Sequence, residues 1–285
     1  GFYLLPNQHL AAWLGQLSND NSQGEYYLTD VVELAQRQNV AIDYVLAPHH
    51  YEVLGVNNKL QLEQLERFYQ IIQANKLLEA GVTLFDKRRI DIRGSLSAGS
   101  DCSIDVNCIF EGVVKLGNNV QIGAGCHLKN VTIANNVTIK AYSLLDDSVV
   151  ADGAQIGPFA RLRPGSSLAE NSHVGNFVEI KNSSLGIGSK VNHLTYIGDA
   201  LIGNKVNVGA GSITCNYDGK NKFKTIIGDN VFIGSGTMMV APVKINNGSL
   251  IGAGSVITHD TPENELTLAR AKQVTVSGWH KSNKK

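Results

Sequence analysis

From residue 81 onward, apolar residues return at every sixth position. Ile104, Phe110, Leu116, Ile122 and Leu128 form one run. Val150, Ile156, Leu162, Leu168, Val174 and Ile180 form a second, and Ile227, Ile233, Met239, Ile245, Ile251 and Ile257 a third. Four residues after many of them stands another small or β-branched residue, as at Val120, Cys126, Val231, Thr237, Val243, Ser249 and Ser255. A helix does not explain this, because a six-residue step turns it by about 600° and scatters the apolar side chains. A strand does, since positions two apart share a face and i+4 is i−2 of the next hexad. Each hexad is then one short strand and a turn. Three hexads close a triangular coil of about 18 residues, and successive coils stack through parallel ladders. The predicted fold is mainly β, a parallel β-helix with apolar columns along its axis. Between 104 and 257, less one interruption, the repeat gives about eight coils and a prism roughly 40 Å tall. Gly follows the repeat residue in Leu116-Gly117, Ile122-Gly123, Ile156-Gly157, Val174-Gly175, Ile227-Gly228, Ile233-Gly234 and Ile251-Gly252, where it reads as the turn former.

The chain before Gly81 follows other periods. Residues 2–5 and 40–46 read as strands, residues 9–16 as a helix and residues 19–24 as a polar loop. Asp30 with Glu33 three residues on predicts a capped helix start. Leu60, Leu62, Leu65, Tyr69, Ile72 and Leu77 recur at helical spacing, which predicts one long amphipathic helix over 60–80. The expected division is residues 1–59, a linker helix over 60–80, and the β-helix over 81–285. The β-helix ends in a loose basic tail with Lys281, Lys284 and Lys285.

Composition narrows the function. Of 285 residues, 25 are Lys or Arg and 25 Asp or Glu, so the net charge is zero. This argues against a nucleic-acid coat, which needs a basic excess. Charged residues are 18% and hydrophobic ones 43%, too apolar for a disordered chain. No run of ~18 apolar residues predicts a membrane span. The four cysteines, Cys102, Cys108, Cys126 and Cys215, form no C-x-x-C pair, which fits a reducing cytoplasm rather than zinc or dithiol chemistry. The first three fall in small inward slots and read as core. The chain starts without Met, in strand-like sequence, and is expected to be part of something longer.

Two stretches carry candidate chemistry. Arg163, Lys181 and Tyr196 follow one another at close to the spacing of one coil, so they are expected to stack on one side. A column of Arg and Lys suits a phosphate. His193 lies between Lys181 and Tyr196, where a neutral imidazole suits a general base. Glu179 is a candidate to orient it. The repeat breaks at 214–226, and loops on a rigid scaffold tend to carry function. That loop holds Asn216 and Tyr217, with Asn207 nearby, suited to sugar hydroxyls or an oxyanion. Solvated surface charges on a non-catalytic scaffold remain an alternative reading. The other histidines show no metal-ligand spacing.

The runs Gly-Pro-Phe-Ala-Arg-Leu-Arg-Pro-Gly (157–165), His-Leu-Thr-Tyr-Ile-Gly-Asp-Ala (193–200) and Gly-Ala-Gly-Ser-Ile-Thr-Cys-Asn-Tyr-Asp-Gly-Lys-Asn-Lys-Phe-Lys-Thr (209–225) resemble one family. It is that of the bacterial bifunctional N-acetylglucosamine-1-phosphate uridyltransferases and glucosamine-1-phosphate acetyltransferases. Residues 23–30 and 55–58 resemble the end of its uridyltransferase domain. The resemblance implies a left-handed β-helix preceded by a linker helix and an α/β remnant of a nucleotidyltransferase domain. It implies acetyl transfer from acetyl-CoA to the 2-amino group of glucosamine 1-phosphate, in the cytoplasm, toward cell-wall and lipopolysaccharide precursors. His193 would be the general base. Arg163, Lys181, Tyr196, Asn207 and Lys222 would bind the sugar phosphate, the lysine reaching in from a neighbouring subunit. Ala210, Asn216, Tyr217, Ser235, Ala253 and Arg270 would contact acetyl-CoA. The site would lie between subunits of a homotrimer, with no nucleic-acid or membrane partner. At the front the chain departs from the family. The Gly-rich nucleotide loop is absent, and so is the Asp that would share Mg²⁺ with Asn57. Asn57 is therefore half of a metal site, and uridyltransferase activity is expected to be lost. Another hexapeptide-repeat acyltransferase is the enzyme alternative.

Overall fold

The structure is a computed structural model that describes residues 2–279. The expected basic tail, with Lys281, Lys284 and Lys285, lies outside the described residues. The chain divides into two compact units, one reaching to Tyr69 and one starting at Gln70.

In the first unit, helices α1 (Asn7–Leu14) and α2 (Val31–Arg37) bury Trp13, Val31 and Ala35. Leu5, Leu17, Leu34 and Val40 pack around them. Trp13 Nε1 donates to Gln38 Oε1 at 3.0 Å, which keeps the buried indole nitrogen satisfied. The strands expected at 2–5 and 40–46 do not form, and the unit contains no strand among its described residues. The reason is pairing: an alternating segment becomes a strand only against a neighbour that takes its backbone groups. Here Phe2, Leu4, Val45 and Leu46 stay exposed instead. The expected cap at Asp30 is also replaced. Asp30 is itself helical, with no side-chain cap bond, and a 3₁₀ turn over Leu28–Asp30 leads into α2. Glu33 pairs with Arg37 at 2.6 Å.

Helix α3 spans Lys59–Glu79. Its buried residues are Gln70, Ala74 and Leu77, so the expected apolar stripe is covered only at its end. Leu60 and Leu62 are exposed. Gln70 explains how the C-terminal part docks. Its Nε2 donates to Ile92 O at 3.0 Å, and its Oε1 accepts Ile92 N–H at 2.7 Å. The first coil has no coil beneath it, and this amide satisfies backbone groups that would otherwise be left unpaired.

The second unit is a parallel β-helix. One sheet stacks eleven strands, from Thr83–Leu84 to Leu266–Thr267. A second, of seventeen strands, covers the remaining faces. The stack thus begins before and ends after the 104–257 span in which about eight coils were expected. All members of the three apolar runs are buried, as are the seven residues four positions on. Full burial of an Ile or Leu stabilises by about 1.5–3 kcal/mol, so this column holds the unit together. Cys102, Cys108 and Cys126 sit in the inward slots as free thiols. Coil length is not constant. The coil from Gln121 to its partner Thr138 is one residue shorter than the coil from Gln155 to His173. The coil from Asn207 to Phe232 is the long one, and it contains the interruption.

The turn chemistry differs from expectation. Left-handed turn positions are shared between glycines such as Gly125, Gly153, Gly211 and Gly236, which do not directly follow a repeat residue, and asparagines such as Asn107, Asn119, Asn136, Asn171 and Asn230, which tolerate positive φ better than most side chains do. Most glycines after a repeat residue serve close coil-to-coil approach instead. A Cβ on Gly123 would lie 2.7 Å from the Ala141 backbone nitrogen, and one on Gly117 2.7 Å from the Ala134 carbonyl carbon. Gly157, at φ 91°, combines both tasks. No helix among the described residues is long and apolar enough to cross a membrane.

Candidate active site

Four stacked strands, Arg161–Leu162, Glu179–Lys181, Tyr196–Gly198 and Ile213–Cys215, make one face of the prism. Arg161, Glu179, Tyr196 and Ile213 share one register column, and Lys181 faces Gly198 in the next. Arg163 follows Leu162, its N–H bonded to Ile180 O at 2.8 Å, and joins the Lys181 column. Tyr196 therefore stands over Glu179, not over Lys181 as the sequence spacing suggested. The partner of Lys181 one coil on is Gly198. Tyr196 still reaches the lysine's column, because its ring leans across Gly198, where a Cβ would strike the phenol.

Glu179 does not orient His193. Its Oε1 accepts from Arg163 Nη1 at 2.8 Å, and Arg161 lies 3.9 Å from its other oxygen. One of the two adjacent cations, Arg163, is thus held in place by a carboxylate. Lys181 stands half-buried beside it. Two like charges on neighbouring coils repel, so this step of the face favours an anion.

His193 closes the strand Lys190–His193 at one edge of this face and is exposed. Its partner is Asn176, paired with it in register one coil below. His193 Nδ1 and Asn176 Oδ1 are 2.7 Å apart. With the amide oxygen accepting, the proton sits on Nδ1 and leaves Nε2 with a free lone pair. Above His193 the same corner continues upward. Gly211 N–H donates to His193 O, Gly236 N–H to Ala210 O and Gly254 N–H to Ser235 O. Ala210, Ser235 and Ala253 thus stack over His193, and Arg270 Nη1 donates to Ala253 O at 2.8 Å. Beside this edge Tyr142, Phe159 and Phe177 stack at 5.3 Å ring spacing, all three in left-handed conformation and about half exposed, followed by Leu194.

The interruption lies at the opposite edge. Residues 216–223 form a small hairpin, with Phe223 N–H on Asn216 O at 2.9 Å and Tyr217 bridged to Lys222. Asn216 is buried, while Tyr217 and Lys222 are exposed. Asn216 Nδ2 donates to Asp199, which also accepts from Asn182 Nδ2 at 2.6 Å. Burial alone would raise the Asp199 carboxyl. The two amides, with Lys181 and Lys222, outweigh it and hold the carboxyl below its usual range. Cys215 is half-buried, and burial pushes its thiol up, away from reactivity. Asn207 lies on the eleven-stranded sheet, in column with Lys190.

The structure therefore gathers His193, Ala210, Ser235, Ala253 and Arg270 at one edge and Arg163, Lys181 and Tyr196 on the face. Asn216, Tyr217 and Lys222 lie at the far edge and Asn207 on the adjoining sheet. Sequence reasoning missed Asn176 and Asp199, though each stands one coil before the partner it binds. Asn57, in the first unit, is exposed, with its N–H on Gln61 Oε1 at 2.7 Å. Among the described residues no group of three or more His, Cys, Asp or Glu could hold a metal ion. A lone amide is a poor fit for Mg²⁺, which is usually held through one or two carboxylates and substrate phosphates.

Comparison with known proteins adds the following. Residues 92–174 match the GMPPB C-terminal domain family, and residues 224–259 the bacterial transferase hexapeptide family of six repeats. Over all 285 residues the chain is 62% identical to the bifunctional protein GlmU of Chromobacterium violaceum, covering 63% of that protein. It is 54% identical to the GlmU of Nitrosospira multiformis, covering 62% of it. A UDP-N-acetylglucosamine acyltransferase from Campylobacter jejuni aligns with 66% of this chain and 71% of its own at 18% identity, with a TM-score of 0.41. The chain thus spans a little over three fifths of the length of the curated relatives it matches.

Proposed function

We propose, on the premise that the chain belongs to the bifunctional GlmU family, that it moves an acetyl group from acetyl-CoA to the amine of glucosamine 1-phosphate. One observation carries the reading: a histidine bonded through Nδ1 to Asn176 stands at the edge between a cationic step beside Tyr196 and a column of small residues. The cationic step suits a sugar phosphate. The column of Ala210, Ser235 and Ala253 offers no bulky side chain and ends at Arg270, which suits a long pantetheine chain with a phosphate at its far end.

In this reading Lys181 and Arg163 hold the sugar phosphate, and Tyr196 closes over it. The amino group then lies toward His193. Nε2 takes its proton while Nδ1–H stays on Asn176, which supports the imidazolium as it forms. The freed amine attacks the thioester carbon. The carbon–sulfur bond breaks, and the thiolate leaves as CoA and takes up a proton. Asn216 and Tyr217 belong to the acetyl-CoA side and Asn207 and Lys222 to the sugar-phosphate side.

The far-edge residues favour a site shared between copies of the chain in a homotrimer. Asn216, Tyr217 and Lys222 belong to one edge and His193 to the other, so two prisms packed edge to edge complete the set. The exposed aromatic stack beside His193 supports this, because such a stripe favours contact with another surface. Residues 1–59 are assigned to the end of a nucleotidyltransferase part, 60–80 to its linker and 81–285 to the acetyltransferase, acting in the cytoplasm.

The test is CoA thiol release from acetyl-CoA, measured with glucosamine 1-phosphate, with serine, and with no acceptor. Release is expected only with the first. His193→Ala is expected to lose roughly 10²–10⁴-fold. Equal release with serine would favour another hexapeptide-repeat acyltransferase, and none at all a scaffold.

A further inference from the structure

We infer that Asp199 is a positioning residue, a buried carboxylate that roots the hairpin 216–223 and sets where Asn216 and Lys222 stand. The inference deepens the acetyltransferase reading and rests on it for the role of those two residues. Its structural part stands on the geometry alone.

Asp199 occupies a corner of the coil at φ 50°, a left-handed conformation that Asp tolerates. It is 7% exposed. A carboxylate this buried is costly unless its oxygens are paired, and here they are. Oδ1 takes Asn182 Nδ2 at 2.6 Å, and Oδ2 takes Asn216 Nδ2. Asn182 holds the equivalent left-handed corner one coil below. Its own N–H donates to Pro164 O at 3.1 Å, so it is fixed to the scaffold. The carboxylate thus ties a fixed corner to the first residue of the hairpin.

The main chain of Asp199 holds the other end. Its carbonyl accepts Thr225 N–H at 3.2 Å, where the chain re-enters the coil. One residue therefore grips both the entry and the exit of an insertion that the repeat itself does not specify. The charge adds a further constraint. Lys181 lies on the face and Lys222 on the hairpin, and both act on this carboxylate. The negative charge offsets part of the positive charge of both lysines on this side of the coil. An asparagine in its place could keep one hydrogen bond but not this balance.

Asp199 touches neither reacting group in this account and acts through Asn216 and Lys222. Two readouts on the full chain test it. The first is hydrogen exchange of the amides over 213–226. Asp199→Gly keeps the left-handed turn free of strain and is expected to speed exchange there about tenfold or more, leaving the remaining coils unchanged. Adding Asn216→Ala to Asp199→Gly is expected to speed it no further. Asp199→Asn is expected to restore most of the protection. The second readout is the kinetics of CoA release. Asp199→Gly should raise KM for acetyl-CoA and for the sugar phosphate about tenfold while kcat stays within roughly threefold. Asp199→Asn, which keeps a bond but loses the charge, should recover KM for acetyl-CoA more fully than for the sugar phosphate.

Unchanged exchange in Asp199→Gly, or additive effects of the two substitutions, would overturn the inference whether or not the chain is an acetyltransferase. A loss of kcat at constant KM would overturn it as well. If the unaltered chain releases no CoA, the acetyltransferase reading falls, and exchange alone decides the role of Asp199 in rooting the hairpin.

Discussion

Asn176 is the side chain on which the proposed base depends most directly, and replacing it separates orientation from mere proximity. The bond between His193 Nδ1 and Asn176 Oδ1 is 2.7 Å long and lies at an edge where His193 is exposed. Such a bond has a net worth of about 0.5–1.5 kcal/mol. At about 1.4 kcal/mol per factor of ten, Asn176→Ala should lower kcat/KM by roughly two- to tenfold. The ring can then rotate, and its proton can sit on either nitrogen. Asn176→Asp makes a sharper test. A carboxylate at this distance stabilises the imidazolium, so the base stays protonated to higher pH. The acid limb of the pH profile of kcat/KM should move upward, with a larger loss at pH 6.5 than at pH 8.5. The assay is CoA release across that range at subsaturating substrate. Unchanged rates in Asn176→Ala with no displaced limb in Asn176→Asp would refute the reasoning. So would an equal loss at every pH, which points to altered packing alone.

Three further outcomes follow from the packing and the charges. Ile197 is fully buried between Tyr196 and Gly198, and Ile197→Ala should cost about 2–5 kcal/mol in denaturant unfolding. A cost below about 1 kcal/mol would mean that the column is not the core. Gly123→Ala places a Cβ against backbone that cannot rotate away and should cost about 1–3 kcal/mol. Gly55→Ala, with open space around it, should leave the melting temperature unchanged, and equal effects would remove the close-approach argument. Asp199 has a carboxyl lowered from its ordinary 3.8, so it stabilises the folded state fully above about pH 4 and less as pH falls through the lower folded value. Chemical unfolding between pH 5 and 2 should show less acid destabilisation in Asp199→Asn, and an identical slope would contradict the pairing.

The core was legible because six is a period that only a stacked short strand satisfies, and every residue of the three runs is buried. Local register was less so. The 15 residues between Lys181 and Tyr196 come only near one coil, whereas the coil here is 17 residues long and sets Tyr196 against Glu179, and the missing side chain of Gly198 brings the phenol back. The role of Glu179 turned on side-chain reach: from its column it meets Arg163, while the edge position of Asn176 meets His193. Asn176 and Asp199 were legible in principle, one coil before their partners, but polar residues at coil corners are common and spacing alone does not separate them. Residues 2–5 and 40–46 carried a real alternation without a strand to pair with. The glycines after repeat residues read as turn formers, whereas at Gly123, Gly175 and Gly234 it is the neighbouring coil's backbone that excludes a side chain.

The central claim is that acetyl transfer happens between two edges contributed by different copies of the chain. It is tested by mixing two variants, His193→Ala and Lys222→Ala, each damaged at one edge. They are unfolded together, refolded as mixed oligomers and assayed for glucosamine 1-phosphate-dependent CoA release. In a random mixture roughly one site in four has both edges intact, so activity should rise well above that of either variant refolded alone. Activity no greater than the average of the two parents would place both residues in one chain's site and contradict the account.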